Sequence, residues 1–447
     1  MASTAEQMAQ NMNFGAFGKA TELKQRIWFT LGALIVYRIG AYIPIPGIDP
    51  IVLKDVFAQQ SGGILGMFDM FAGGALSRMT IFALNIMPYI SASIIMQLMS
   101  AMVPSIEQLK KEGESGRKKM NQYTRYGTVL IAALQAYGIA VGLEGMQSSA
   151  GSAVIEGGWF FRFTTVITLV GGTVFLMWLG EQITARGVGN GISLIIFSGI
   201  VAALPSALAS TLELGRTGAL STLFIVFMLV MSVGVIAFIV FMERAQRRII
   251  IQYPKRQQGN RMFGGESSHL PLKINTAGVI PPIFASSILL LPITVIGFTA
   301  GQGPEWLSTV AAYLGRGQPA YLAIYLSMIV FFAFFYTAIV FNPDETAENL
   351  KKYGGFVPGI RPGKNTAKYL DYVLTRLTVV GAAYLAGVCL LPEILISKFS
   401  VPFYFGGTSL LIVVSVTMDT VAQVQSHLMA HQYEGLIKKA KLRGKKK

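Results

Sequence analysis

The sequence predicts an all-α polytopic membrane protein: ten transmembrane helices in two halves of five, the halves inverted relative to each other. Three observations carry this. First, 53% of the 447 residues are hydrophobic and only 13% are charged, against about 25% charged in soluble domains, and the mean hydropathy is +0.54. Second, the apolar residues gather into runs of roughly 20, the length that crosses a bilayer as a helix. Third, the basic residues alternate sharply between successive connections.

The expected spans are 27–43, 77–99, 126–143, 160–179, 191–210, 219–241, 275–296, 320–341, 373–392 and 408–428. Counting Lys and Arg gives 3 in the N-terminal tail, then 1, 6, 0, 1, 1, 7, 1, 5 and 1 in the loops, and 7 in the C-terminal tail. One face therefore carries 29 and the other 4; the remaining four of the 37, Arg38, Arg78, Arg162 and Arg376, lie in or at the edges of spans. Basic excess marks the cytoplasmic side, so both termini are expected there. The alternation also requires an even number of spans. Five spans per half invert the second half against the first, the parity of inverted repeats, which place a pathway between the halves.

This divides the chain into a cytoplasmic tail over 1–26, an N-terminal half over 27–210, a C-terminal half over 211–428 with cytoplasmic loops 243–274 and 342–372, and a basic tail over 429–447. Met1 to Arg26 is polar and lacks an apolar h-region, so no cleavable signal peptide is expected. The single cysteine, Cys389, sits in an apolar run and reads as a buried thiol.

Ile64 to Met99 is one apolar stretch that cannot form one straight membrane helix. Its first part, Ile64 to Gly74, is too short to span at 1.5 Å per residue, carries Asp69 and ends in Gly73-Gly74. Its second part is long enough, with Pro88 in its middle. A half-helix holding an acid is tolerated at membrane depth only beside protein or a water-filled cavity. The functional centre is expected here.

The cytoplasmic connections are long. Residues 104–125 hold a basic cluster, Lys110 to Lys119. Residues 243–274 hold Arg244, Arg247, Arg248, Lys255, Arg256 and Arg261, and residues 342–372 hold Lys351, Lys352 and Gly359-Ile-Arg-Pro-Gly363. Topology and attraction to anionic lipids account for the charge. They do not account for the turn chemistry, which presents Arg361 on a rigid tip suited to an acidic or nucleic-acid-bearing partner. In the C-terminal tail, seven of the ten residues Lys438 to Lys447 are basic.

Catalytic signatures are missing: there is no CxxC, HExxH or GxSxG. Pro362-Gly-Lys-Asn-Thr366 lacks the glycine and the Ser or Thr of a phosphate loop. Gly187-Val-Gly-Asn-Gly191 reads as a chain break before the fifth span, with Asn190 capping the helix. His427 and His431 stand four apart with no third ligand in view, so neither a metal nor a cofactor is expected. Acids within spans are few, chiefly Asp69 and Asp419, with Glu181 and Glu393 near ends. An ion-coupled secondary transporter titrating Asp419 is the alternative reading, because an intramembrane acid costs about 2.5–3.5 kcal/mol and needs a purpose or a partner.

Ile86 and Ile90 stand four apart on the second span, and Ile192 and Ile196 repeat that spacing on the fifth. Ile283 follows Pro281-Pro282 on the seventh, and Ile412 lies on the tenth. Such isoleucines face lipid or core, or they build an apolar constriction that dewets and blocks ions.

Many ordered motifs resemble the SecY family, the large subunits of bacterial protein-conducting channels. They are Tyr37-Arg-Ile-Gly40, Ile43-Pro-Ile-Pro-Gly-Ile-Asp49, Phe71 to Ser93, Lys110 to Arg117, Trp178-Leu-Gly-Glu-Gln-Ile183 and Gly187 to Ser193. They continue through Arg256-Gln-Gln-Gly259, His269-Leu-Pro-Leu-Lys273, Ala277-Gly-Val-Ile-Pro281, Phe356 to Gly363, Val401 to Thr408 and Ala422-Gln-Val-Gln425.

The resemblance implies an hourglass pore in a bacterial plasma (inner) membrane, with no enzymatic activity. Ile86, Ile90, Ile192, Ile196, Ile283 and Ile412 would form the pore ring. Ile64, Leu65, Met67, Phe68, Asp69, Met70, Phe71, Gly73 and Gly74 would belong to a half-helix plug. Ser91, Gln97 and Asn275 would be polar residues of a lateral gate between the second and seventh spans. Arg256 and Arg361 would dock the ribosome and the motor ATPase SecA. SecE and SecG would be companion subunits, and signal peptides and nascent secretory or membrane proteins the cargo. Asp69, Ala72 and Asp344 depart from the pattern of enterobacterial members, which have Asn, Ser and Arg there.

Overall fold

The computed structural model describes residues 21–53, 57, 69, 72–145, 147–148, 151–218, 221–253, 256–258, 261–263, 267–298, 309, 313, 318–399 and 407–444. Each expected span has a helix. Spans 1 to 5 are Thr21–Gly40, Met87–Met102, Glu114–Gly145, Trp159–Arg186 and Gly191–Arg216. Spans 6 to 10 are Thr222–Arg244, Ile280–Phe298, Pro319–Val340, Lys364–Phe399 and Gly407–Gly444. Among the described residues seven of these are long and apolar enough to cross a bilayer unaided; Met87–Met102 makes an eighth if counted together with Pro104–Lys110, across a 105° bend.

The helix starts follow local chemistry. The Asn190 side chain accepts from the Ile192 and Ser193 amides, the cap expected before the fifth span, and Ser221 accepts from Phe224 in the same way. Prolines occupy the first turn of spans 2 and 8, where their missing N–H costs nothing. The second span needs correction on this point. Pro88 does not lie in its middle: residues 72–86 are consecutive turns, and the helix begins at Met87. Met79 and Asn85 adopt left-handed backbone, φ 43° and 49°, which no continuous helix accommodates.

Helix contacts repeat across the halves. Span 2 packs on 3, 3 on 4, 4 on 5, and 1 on 5; correspondingly 7 packs on 8, 8 on 9, 9 on 10, and 6 on 10. The contact of span 1 with span 4 has its counterpart in Phe238 of span 6 against Tyr384 of span 9, ring centroids 5.8 Å apart. The halves meet along two seams. At one, span 7 touches spans 2 and 3; at the other, span 10 touches spans 5 and 1, and span 6 touches span 5. One large apolar cluster runs through both halves and both seams.

Two smaller devices position the site. Residues 43–49 form a main-chain clasp with a partner on either side. Ile45 N donates to Met79 O and Ile81 N to Ile43 O, while Asp49 N donates to Ala153 O and Ile155 N to Gly47 O, all at 2.9–3.1 Å. On the other side of the bundle, strands Gln246–Gln252 and Ser267–Lys273 pair antiparallel, and Gln252 bridges to Phe356. Ile249, Leu272, Val357, Leu370 and Val373 give this unit its own core.

Candidate pore and gate

The six isoleucines come from spans 2, 5, 7 and 10, the helices that make the two seams. Ile86, Ile90, Ile196 and Ile412 are buried within the large apolar cluster, and Ile192 and Ile283 pack against it half-buried. Ile86 is 1% exposed and Ile412 2%, so water does not reach them. Ile86 is the N-cap of its helix rather than a helical residue. Its carbonyl accepts from Ile90 N at 3.1 Å, which keeps the two side chains one turn apart. Isoleucines that met at one level of a pore would exclude ions by dewetting.

Spans 2 and 7 are in contact, as a gate between them requires. Ser91 is buried on span 2 and Gln97 is half-buried, its Nε2 donating to Ser93 Oγ at 3.5 Å. Asn275, at the approach to span 7, turns elsewhere. Its Nδ2 donates to Glu243 Oε1 at 2.6 Å and to Gly278 O at 3.1 Å. Among the described residues no hydrogen bond joins Asn275 to Ser91 or Gln97. Glu243, at the end of span 6, was not singled out by sequence reasoning, because an acid beside Arg244 reads as an ordinary helix end.

Ile64, Leu65, Met67, Phe68, Met70 and Phe71 lie outside the described residues. Asp69 is half-buried and holds the turn that follows: its carbonyl accepts from Gly74 N at 2.8 Å, and its Oδ1 from Ser77 N at 2.7 Å. Gly73 and Gly74 are left-handed, φ 63° and 79°, a backbone that favours glycine. Asp69 thus acts as a turn-capping acceptor, a task Asn also performs. Arg38 and Arg78 both reach the Gly73 carbonyl. The charge count held the signal for them, since they were two of the four basic residues left over from the loops.

Arg256 lies on the short strand Arg256–Gln258 at the tip of the basic hairpin. Arg361 is exposed, in a loop whose base the Gln252–Phe356 bridge ties to that hairpin. The two loops form one unit. Asp344 sits in the first turn of helix Pro343–Lys352, capped by Asn342, where an acid is favourable against the helix dipole. Cys389 is buried, as expected.

The SecY family model matches residues 80–421. The Protein translocase subunit SecY of Escherichia coli (strain K12) is 59% identical over 430 residues, covering 96% of this chain and 97% of its own length. Among solved structures, a protein-conducting channel superposes with a TM-score of 0.66 at 18% identity, covering 91% of this chain and 92% of that one. Sec61 in a canine ribosome-channel complex from the endoplasmic reticulum superposes at 0.62, also at 18% identity and with the same shares covered. At that identity the structures speak for the fold alone.

Proposed function

This chain belongs to the SecY family, and from that premise we propose that its two seams enclose the pathway of a secreted polypeptide. It is a translocase subunit that forms a protein-conducting channel and not an enzyme; the work of transport comes from partners. The transporter reading is withdrawn, because the relatives are translocases and because Asp419 is exposed on the surface of span 10 rather than enclosed with a coupling site.

The observation that supports the reading is that Ile86, Ile90, Ile192, Ile196, Ile283 and Ile412 lie on four helices of two halves with repeating contacts, each buried in or packed against the one apolar cluster that runs through both seams. Isoleucine offers no charge and no fixed hydrogen bond, so it seals around chains of any sequence. The seal yields by side-chain rotation when a polypeptide enters. Residues 64–74 are the plug on its extracytoplasmic side. Residues 27–210 and 211–428 are the two halves that part.

Spans 2 and 7 open sideways, with Ser91, Gln97 and Asn275 as polar residues beside the opening. An apolar signal segment leaves pore water for lipid there. At about 25 cal/mol per Å2 of apolar surface, that partition separates membrane spans from polar secreted segments. The hairpin with Arg256 and the loop with Arg361 dock the motor ATPase SecA and the ribosome, whose charges suit a basic tip. SecE and SecG complete the complex in the bacterial inner membrane, with both termini and the basic tail cytoplasmic and in reach of anionic lipids.

Cross-linking tests this directly. A photoreactive group at position 86 or 412 should capture a secretory chain stalled in transit. Absence of an adduct at both positions, with adducts forming at lipid-facing positions, would reject the pathway.

A further inference from the structure

We propose that Arg38, Arg78 and Gly199 form a seat that holds the Gly73 turn over the isoleucine ring, and that opening requires the turn to leave it. This rests on reading 64–74 as the plug. Two guanidinium groups converge on one main-chain oxygen: Arg38 Nη1 and Arg78 Nη2 each donate to Gly73 O at 3.1 Å. Like charges so placed need compensation. The Tyr42 ring supplies it, lying 4.2 Å from the Arg78 guanidinium carbon and 5.3 Å from that of Arg38. Arg38 Nη2 also donates to the Tyr42 hydroxyl at 3.2 Å. The neighbouring Ala72 carbonyl accepts from the buried Tyr37 hydroxyl at 3.3 Å.

The other side of the turn rests on span 5. A Cβ on Gly73 would lie 2.9 Å from Gly199 Cα and 3.0 Å from Gly199 O, closer than side-chain carbons pack. Glycine is thus required at 73 twice over, by its left-handed backbone and by this contact. Gly199 stands seven residues after Ile192 and three after Ile196, so it continues the helix face that carries those ring residues. The seat therefore lies about 4.5 Å beyond Ile196 along the helix axis.

The chemistry suits a contact made to be released. Among the described residues both arginines bind a neutral carbonyl and no carboxylate, so water can replace either bond without stranding an opposite charge. The pair Arg162–Glu144, by contrast, joins spans 3 and 4 through opposite charges at 2.6 Å.

The test uses the channel complex reconstituted in vesicles, with resting halide efflux and export of reporters carrying intact or impaired signals as readouts. Arg38→Gln with Arg78→Gln should raise resting efflux on the order of tenfold, the size expected when charge-assisted hydrogen bonds are lost, and should pass the impaired signal. Gly199→Leu, which fills the seat from the opposite side, should do the same. Arg38→Lys with Arg78→Lys keeps charge and donors and should stay nearer the parent. Unchanged efflux and stringency in both the Gln pair and Gly199→Leu, with the parent exporting normally, would overturn the seat alone. Failure of both variants to accumulate would make these residues merely structural and overturn it as well. A parent chain that exports nothing would overturn the channel reading and this proposal with it.

Discussion

Glu243 accepts a 2.6 Å hydrogen bond from Asn275, and this buried contact ties the end of span 6 to the start of span 7. The same Asn275 amide donates to Gly278 O, at a left-handed glycine, φ 62°, two residues before the helix begins. One side chain therefore shapes the approach to span 7 and anchors it to its neighbour.

Breaking that anchor should be costly. Glu243→Ala and Asn275→Ala each leave a buried polar partner unpaired, an effect of about 1–3 kcal/mol. A double-mutant cycle on the thermal unfolding of the purified complex should show coupling of about 1 kcal/mol or more, since the residues touch. Glu243→Gln keeps an acceptor and should be milder. Strict additivity of the two alanine changes would count against the anchor.

Substituting the ring should separate sealing from assembly. Ile86→Asn or Ile412→Asn places an amide where water does not reach and invites water in. Resting ion leak should rise, and export should become less selective for the signal segment. Yield should fall modestly, because the substituted position gains a hydrated pathway. Leak and stringency at parental values in both variants would sink the ring assignment.

Spans 3 and 4 are pinned at both ends by arginine forks. Glu144 accepts from Arg162 Nε and Nη2 and from Gly158 N, and its side chain is 16% exposed against 31% for Glu181. Among the described residues Glu181 accepts from Arg125 alone. Glu144→Ala should therefore lower the thermal midpoint of the complex more than Glu181→Ala, and high salt should erase the smaller effect first. The reverse order would show that burial is not what grades the two pairs.

Much of this architecture was legible because lipid imposes simple rules. Apolar runs located ten helices, and parity implied two halves, whose helix contacts repeat. The Asn190 cap was readable from its own side chain. The start of span 2 was not, because residues 77–86 are as apolar as a helix, and the left-handed Met79 and Asn85 leave no compositional mark. The 43–49 clasp uses main-chain groups, which any sequence supplies. Arg38 and Arg78 meet on Gly73 through tertiary folding, so spacing along the chain could not pair them. Glu243 and Asn275, 32 residues apart across a hairpin, were hidden in the same way.

The docking loops offer the cleanest separation of partner binding from folding. Arg361 is exposed, and its carbonyl, not its side chain, takes the local hydrogen bond from Thr366 Oγ1 at 3.1 Å. The loop is held by the Ile360 amide on Val357 O, by the Gln252–Phe356 bridge and by the packing of Val357. Arg361→Glu should leave all of these in place. It reverses one charge on the proposed docking surface, so partner-driven export should fall steeply while complex yield and thermal midpoint stay at parental values. Raising ionic strength should weaken the parent's partner binding toward that of the variant, because screening acts on the same attraction. Co-purification with the motor or with ribosomes across a salt series measures both effects. Parental binding by Arg361→Glu at low salt would remove this residue from the docking surface.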